Sequence, residues 1–198
     1  MPESDPKTDL HYYLQVARGN LLWKLEGLSE YDIRRPLTPT GTNLLGLVKH
    51  LIGCELGYFG DTFGRPFEPM PPWLTSDEPN VDFWATADES RSEIIELYRQ
   101  VCAHSDATIE ASTVDTAGCV EHWLPEHRDV TLHRILVHML AETNRHAGHA
   151  DIVRELIDGT AGFMMGNENL PGVDETWWSD YLDRLERVAE EVRDAQTR

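Results

Sequence analysis

The sequence predicts an all-α protein: a four-helix bundle with an additional C-terminal helix and long irregular connections. Three observations carry that prediction. Apolar residues recur at three- and four-residue steps over several long stretches, the mark of amphipathic helices with a core-facing side. The stretches between them are broken by proline and glycine, and no repeat or convincing strand interrupts the pattern. With 198 residues the chain suits one domain spanning 1–198 and burying a sizeable core.

Asp5-Pro6 reads as an N-cap with proline at the first helical position, and Leu10, Leu14, Ala17, Leu21, Leu25 and Leu28 follow at helical spacing. A first helix is therefore expected over 6–27. Residues 29–42 hold two prolines and a glycine, and read as a connection with one short helical turn ending at a cap on Thr42. A second long helix is expected over 43–63. There Leu44, Leu47, Leu51 and Tyr58 take one side and Leu45, Ile52, Leu56 and Phe59 another. Between them Gly46, Gly53, Gly57 and Gly60 form a stripe around His50. Each glycine costs a helix roughly 0.8–1.0 kcal/mol relative to alanine. The stripe thus predicts that a helix or a ligand approaches closely there.

Residues 64–85 contain five prolines and no periodic pattern, yet Trp73, Phe83 and Trp84 give them material to pack with. An ordered covering segment is expected. Thr86 and Glu89 match a capping box and open a helix over 87–110, with Ile94, Ile95, Tyr98, Val101, Cys102 and Ile109 inward. After a second irregular stretch, 111–130, comes the longest amphipathic helix, 131–158, with Leu132, Ile135, Leu136, Met139, Ile152, Val153 and Leu156 expected in the core and a glycine stop at 159. A last helix over about 174–196 is expected to bury Trp178, Tyr181, Leu182, Leu185, Val188 and Val192.

Charge excludes some functions. With 35 acidic and 17 basic residues the net charge is −18, which repels phosphate backbones and anionic membranes, so neither nucleic acid nor membrane is expected as a partner. No apolar run reaches about 18 residues and nothing marks a signal peptide, so a cytoplasmic address is expected. Three cysteines, Cys54, Cys102 and Cys119, without a Cys-x-x-Cys pair, are expected to be reduced thiols packed as small hydrophobes.

The longest helix also carries His138, Glu142, His146 and His149 on or beside its apolar face. Buried polar groups without partners cost about 1–3 kcal/mol each, so this row asks for a ligand. At 1.5 Å rise per residue His138 and His146 stand about 12 Å apart and cannot share one ion. Pairs three or four apart can, which leaves His138/Glu142, Glu142/His146 and His146/His149 open. Each needs a donor from a facing helix. His50 is the best candidate and Cys54, one turn further on, a weaker one.

The "LVKHL" context of His50, followed some ninety residues later by "HMLAETNRHAGHADIVRELIDG", resembles the DinB/YfiT-like metalloproteins. More narrowly, it resembles the actinobacterial branch that contains mycothiol S-transferases and the N-terminal domain of mycothiol-dependent maleylpyruvate isomerase. The resemblance implies a DinB-like bundle whose divalent metal is held by His50, Glu142 and His146, with glutamate as the first of the later pair. Two histidines and one carboxylate match a catalytic zinc site with an open position. The implied activity is transfer of the thiol mycothiol to an electrophilic small molecule through a zinc-bound thiolate, in the service of detoxification. For the sugar and inositol groups of mycothiol, His149, Cys54, Trp84 and Arg91 are candidate pocket residues. A homodimer is also possible on the example of related bundles. The competing readings are a zinc-dependent hydrolase, an iron site of the 2-His-1-carboxylate type, and a non-catalytic metal-stabilised binding protein.

Overall fold

Asp5 starts the first helix as expected. Its carboxylate accepts from the amides of Lys7 and Thr8 and Pro6 takes the first helical position, so α1 runs Pro6–Trp23 in a computed structural model that describes residues 5–196. Ser29 caps a short α2, Glu30–Arg34. The next helix, α3, spans Leu44–Glu55 and is capped by Asn43 rather than Thr42: the Asn43 side chain accepts from the Gly46 amide at 2.7 Å. Beyond Glu55 the chain stays helical but widens to a π-type turn, Leu56–Gly60, then tightens to 3-10 geometry over Asp61–Phe63. Such changes of pitch often mark functional positions.

α4 spans Arg91–Ala111, starting four residues later than expected because Ser90 and Glu93 form the capping box. Glu89 has other partners, the Thr86 amide at 2.8 Å and the Lys49 ammonium at 2.8 Å. The stretch before α5 holds a small antiparallel pair, β1 Ala117–Cys119 and β2 Asp129–Thr131, which the sequence did not announce because three-residue strands leave no periodicity to read. α5 runs Leu132–Asp158 and ends at Gly159 in the left-handed conformation.

α1 packs against α5 and α4, and α3 against α4 and α5, which makes the four long helices a bundle. Leu21, Leu45, Val48, Ile52, Tyr98 and Val153 fill one end of its core, and Leu14, Phe59, Ile109, Leu136 and Met139 the other. Between them Arg18 donates two bonds, Nε to Glu55 Oε1 at 2.7 Å and Nη2 to Oε2 at 2.6 Å, and Nη1 reaches Asp106 at 2.6 Å. The buried row of α5 continues through Thr143, Ala147, Ala150 and Val153, so Ile152 and Leu156, expected inside, are each 63% exposed.

The described residues divide into two units after Asn167. In the second, α6 covers Glu175–Gln196. Its apolar residues form a stripe as expected, but none is buried, which corrects the expectation for Leu182, Leu185, Val188 and Val192 in particular. No described helix is long and apolar enough to cross a membrane.

Candidate metal centre

The covering segment is placed by the glycine stripe. A Cβ on Gly46 would collide with the Phe83 carbonyl, and one on Gly53 would meet the Leu74 side chain at 3.1 Å, so the close approach predicted at the stripe is made by this segment and not by a helix. Asn43 holds the same strip of chain, donating from Nδ2 to the Phe83 carbonyl at 3.0 Å. The buried Lys49 donates to the Trp84 carbonyl at 3.0 Å.

That docking delivers two side chains to His50. The Phe83 ring stacks on the imidazole at 4.1 Å between centroids, and Asp82 Oδ2 lies 2.7 Å from Nδ1. A carboxylate at that distance accepts a hydrogen bond from Nδ1–H, which leaves Nε2 directed away from it. It faces Glu142 Oε1 at 3.3 Å and Cys54 Sγ at 3.3 Å. α5 brings the other donors: His146 Nε2 is 2.9 Å from the same Glu142 oxygen, and His146 Nδ1 is 3.3 Å from His149 Nδ1.

The expected trio therefore meets at one atom, Glu142 Oε1. Among the described residues, the group of three whose donor atoms all lie within 4.8 Å of one another is His50, Cys54 and Glu142, with His146 outside it although 2.9 Å from Glu142 Oε1. With Nδ1–H given to Asp82, the contact of His50 Nε2 with Glu142 Oε1 holds a cation between the two atoms, a proton or a metal ion. Burial and the charge of His50 hold the His146 pKa below the ordinary value against the pull of Glu142. Burial pushes Glu142 up, but the hydrogen bond from His50 and the charge of His146 outweigh it and hold the carboxyl down. The donor set fits a divalent metal of the zinc type.

The other candidates separate. His149 is exposed, and with Trp84 and His146 it lines a cavity of about 460 Å³ whose wall also carries Thr40, Thr42, Asn80 and Phe83. Arg91 is not on that wall: its guanidinium donates to the Leu28 carbonyl at 2.7 Å and pairs with Glu30. His138 lies among Tyr58 and Trp123, with ring centroids 4.5 and 5.2 Å away, where burial lowers its pKa. Asp82 was missed by sequence reasoning. Its only signal was an acid inside a segment already read as a cover over His50.

A family model described as Mycothiol-S-transferase matches residues 9–159. No curated protein matches the chain, and no solved structure does.

Proposed function

The chain belongs to the mycothiol S-transferase family, and on that premise we propose that it conjugates mycothiol to an electrophilic small molecule at a zinc centre held by His50, Glu142 and His146. The observation that supports this reading is the convergence of His50 Nε2, at 3.3 Å, and His146 Nε2, at 2.9 Å, on the one oxygen Glu142 Oε1, with His146 on the wall of a cavity. Bound there, a divalent ion with one carboxylate ligand keeps a net charge of about +1 and supplies the attraction that holds a thiol substrate as thiolate.

The chain's own residues do the rest. Asp82 holds the His50 ring in one tautomer and one orientation. Phe83 covers one face of that ring and keeps water from it. The hydroxyls of Thr40 and Thr42 and the amide of Asn80 line the adjoining cavity, where they offer hydrogen bonds to a polyhydroxylated thiol, while Trp84 offers a flat apolar wall. A wall that sets these hydrogen-bonding groups beside the apolar Leu47, Phe83 and Trp84 suits a sugar-bearing thiol.

Metal content of protein purified without chelator, compared with His50→Ala, tests the reading. About one zinc per chain in the wild type and loss in the variant are expected, followed by thiol-dependent consumption of an aryl halide. Equal metal in both proteins, or none in either after zinc is supplied, overturns it. Product formed without added thiol would instead favour a hydrolase.

A further inference from the structure

His146 and His149 meet nitrogen to nitrogen. Their Nδ1 atoms lie 3.3 Å apart, with ring centroids at 5.3 Å and the ring planes 69° to each other. α5 sets the pair, since residues three apart share a helix face. A neutral imidazole has one donating and one accepting nitrogen, so this contact has two solutions, and in each one Nδ1 carries the proton while the other receives it. The far nitrogen of each ring is fixed by the same choice. His146 Nε2 is 2.9 Å from Glu142 Oε1. His149 is exposed on the cavity wall with Thr40, Thr42 and Asn80, and no described residue hydrogen-bonds to its Nε2, which is therefore the nitrogen left for a ligand of that cavity.

We propose that His146 and His149 form a tautomer relay through which the metal centre sets the hydrogen-bonding character of the cavity: His149 Nε2 accepts while the centre holds no ion and donates once an ion sits on His146 Nε2. Without an ion, His146 Nε2–H donates to Glu142 Oε1, its Nδ1 accepts from His149 Nδ1–H, and His149 Nε2 is a lone pair. With the Nε2 lone pair given to an ion, His146 carries its proton on Nδ1 and donates to His149 Nδ1, so His149 carries its own on Nε2. Both rings stay neutral and the protons balance. The one on His146 Nε2 leaves to water, the one on His149 Nδ1 crosses the 3.3 Å contact, and His149 Nε2 takes one from water. The relay presupposes the zinc centre of the proposed function and adds to it a chemical requirement on the thiol. A donor at His149 selects a thiol that bears an accepting oxygen, an ether, carbonyl or carboxylate, at the end that lies in the cavity. By linkage, such a ligand strengthens metal binding by the same factor as the metal strengthens its own.

Long-range proton–nitrogen correlation spectra of the histidine rings, recorded on the full chain before and after addition of zinc, report each tautomer directly. His149 is expected to pass from the Nδ1–H to the Nε2–H form as His146 Nε2 takes the shift of a metal-bound nitrogen. His149→Ala removes the acceptor of the His146 Nδ1 proton and is expected to bind zinc roughly tenfold more weakly in competition with a chelator. His149→Gln offers an amide oxygen to the same proton and is expected to recover most of that affinity, with far-ultraviolet circular dichroism unchanged in both variants. Zinc that shifts His146 but leaves His149 in one tautomer throughout overturns the relay and leaves the metal centre standing. So does wild-type zinc affinity in His149→Ala. Zinc that shifts neither His50 nor His146 overturns the relay together with the metal centre on which it depends.

Discussion

Asp82 Oδ2 lies 2.7 Å from His50 Nδ1, a bond from the irregular covering segment to the helix beneath it. It decides which nitrogen of His50 is free, and so whether α3 can contribute a metal ligand at all. Partners of this kind tune ligand basicity as well as orientation, and their loss typically costs 10–100-fold in metal affinity. Asp82→Ala is therefore expected to bind zinc roughly 10–100-fold more weakly in competition with a chromophoric chelator, at unchanged helicity. Wild-type affinity in the variant would reduce Asp82 to a packing contact.

The same bond depends on a glycine. Gly46 is where the Phe83 carbonyl comes down onto α3, and Asp82 is the residue before Phe83. Gly46→Ala should lift the segment, weaken zinc binding together with Asp82→Ala, and increase proteolysis within 64–85. Gly57, with nothing within 4 Å of a Cβ placed there, is the control. Gly57→Ala is expected to be neutral or stabilising by up to about 1 kcal/mol, since alanine loses less backbone freedom on folding.

The four long helices were legible because period and caps agreed, as at Asp5-Pro6; spacing on the longest helix left three donor pairs open, and the set His50, Glu142 and His146 came from the family resemblance. What failed to show had physical causes. The π-type turn after Glu55 buries Leu56 and Phe59 in the core and has no local signal in the sequence. Glu89 matched a capping box but gained more from the ammonium of Lys49, leaving the cap to Ser90. Cys54 projects away from the glycine stripe on an ideal helix, yet its sulfur reaches His50 Nε2 at one turn's distance. Ile152 and Leu156 are apolar without being core, which periodicity cannot distinguish.

The pair of Lys49 and Glu89 predicts a pH effect. Burial raises the Glu89 pKa, but the hydrogen bonds from Lys49 and the Thr86 amide more than offset it and hold the carboxyl below its ordinary 4.5. A carboxylate depressed on folding contributes stability that is present above the unfolded value and lost as pH falls through the folded one. The covering segment should therefore loosen in acid, below about pH 4.5. Lys49 sits 4.9 Å from the Trp73 ring, so tryptophan fluorescence follows the change. Glu89→Gln should show the acid spectrum already at neutral pH. An unchanged spectrum in the variant would remove Glu89 from the account.

Arg18 and Glu55 predict an effect on stability. Both side chains are almost wholly buried and doubly bonded to each other. Removing one partner leaves a buried unpaired charge, a loss of about 3–5 kcal/mol, whereas replacing both by apolar residues of similar size is often neutral. Denaturant unfolding of Glu55→Ala should show that loss. Arg18→Met/Glu55→Leu should recover most of it, and a double variant as unstable as the single one would mean that Asp106 also needs Arg18.

Cys54 bears on how the metal is held. Burial, and then the carboxylates of Glu142 and Glu55, push its thiol well above the ordinary range, so without metal it is neutral at any physiological pH. A metal ion on His50 and Glu142 would reverse that, because coordination deprotonates a thiol outright. The 3.3 Å from Sγ to His50 Nε2 is close to the roughly 3.6 Å between a sulfur and a nitrogen that share one ion at a tetrahedral angle, with bonds near 2.3 and 2.0–2.1 Å. Cobalt(II) separates the two states, since a thiolate ligand adds a sulfur-to-metal charge-transfer absorption in the near ultraviolet and a merely adjacent thiol does not. Cobalt-loaded wild type is expected to show that absorption and Cys54→Ser to lose it, with the visible ligand-field bands kept in both. Displacement of the band by an added thiol would then mean that the substrate sulfur and Cys54 compete for one position. Identical ultraviolet spectra in wild type and Cys54→Ser would leave His50, Glu142 and His146 as the protein's donors and Cys54 as their apolar neighbour.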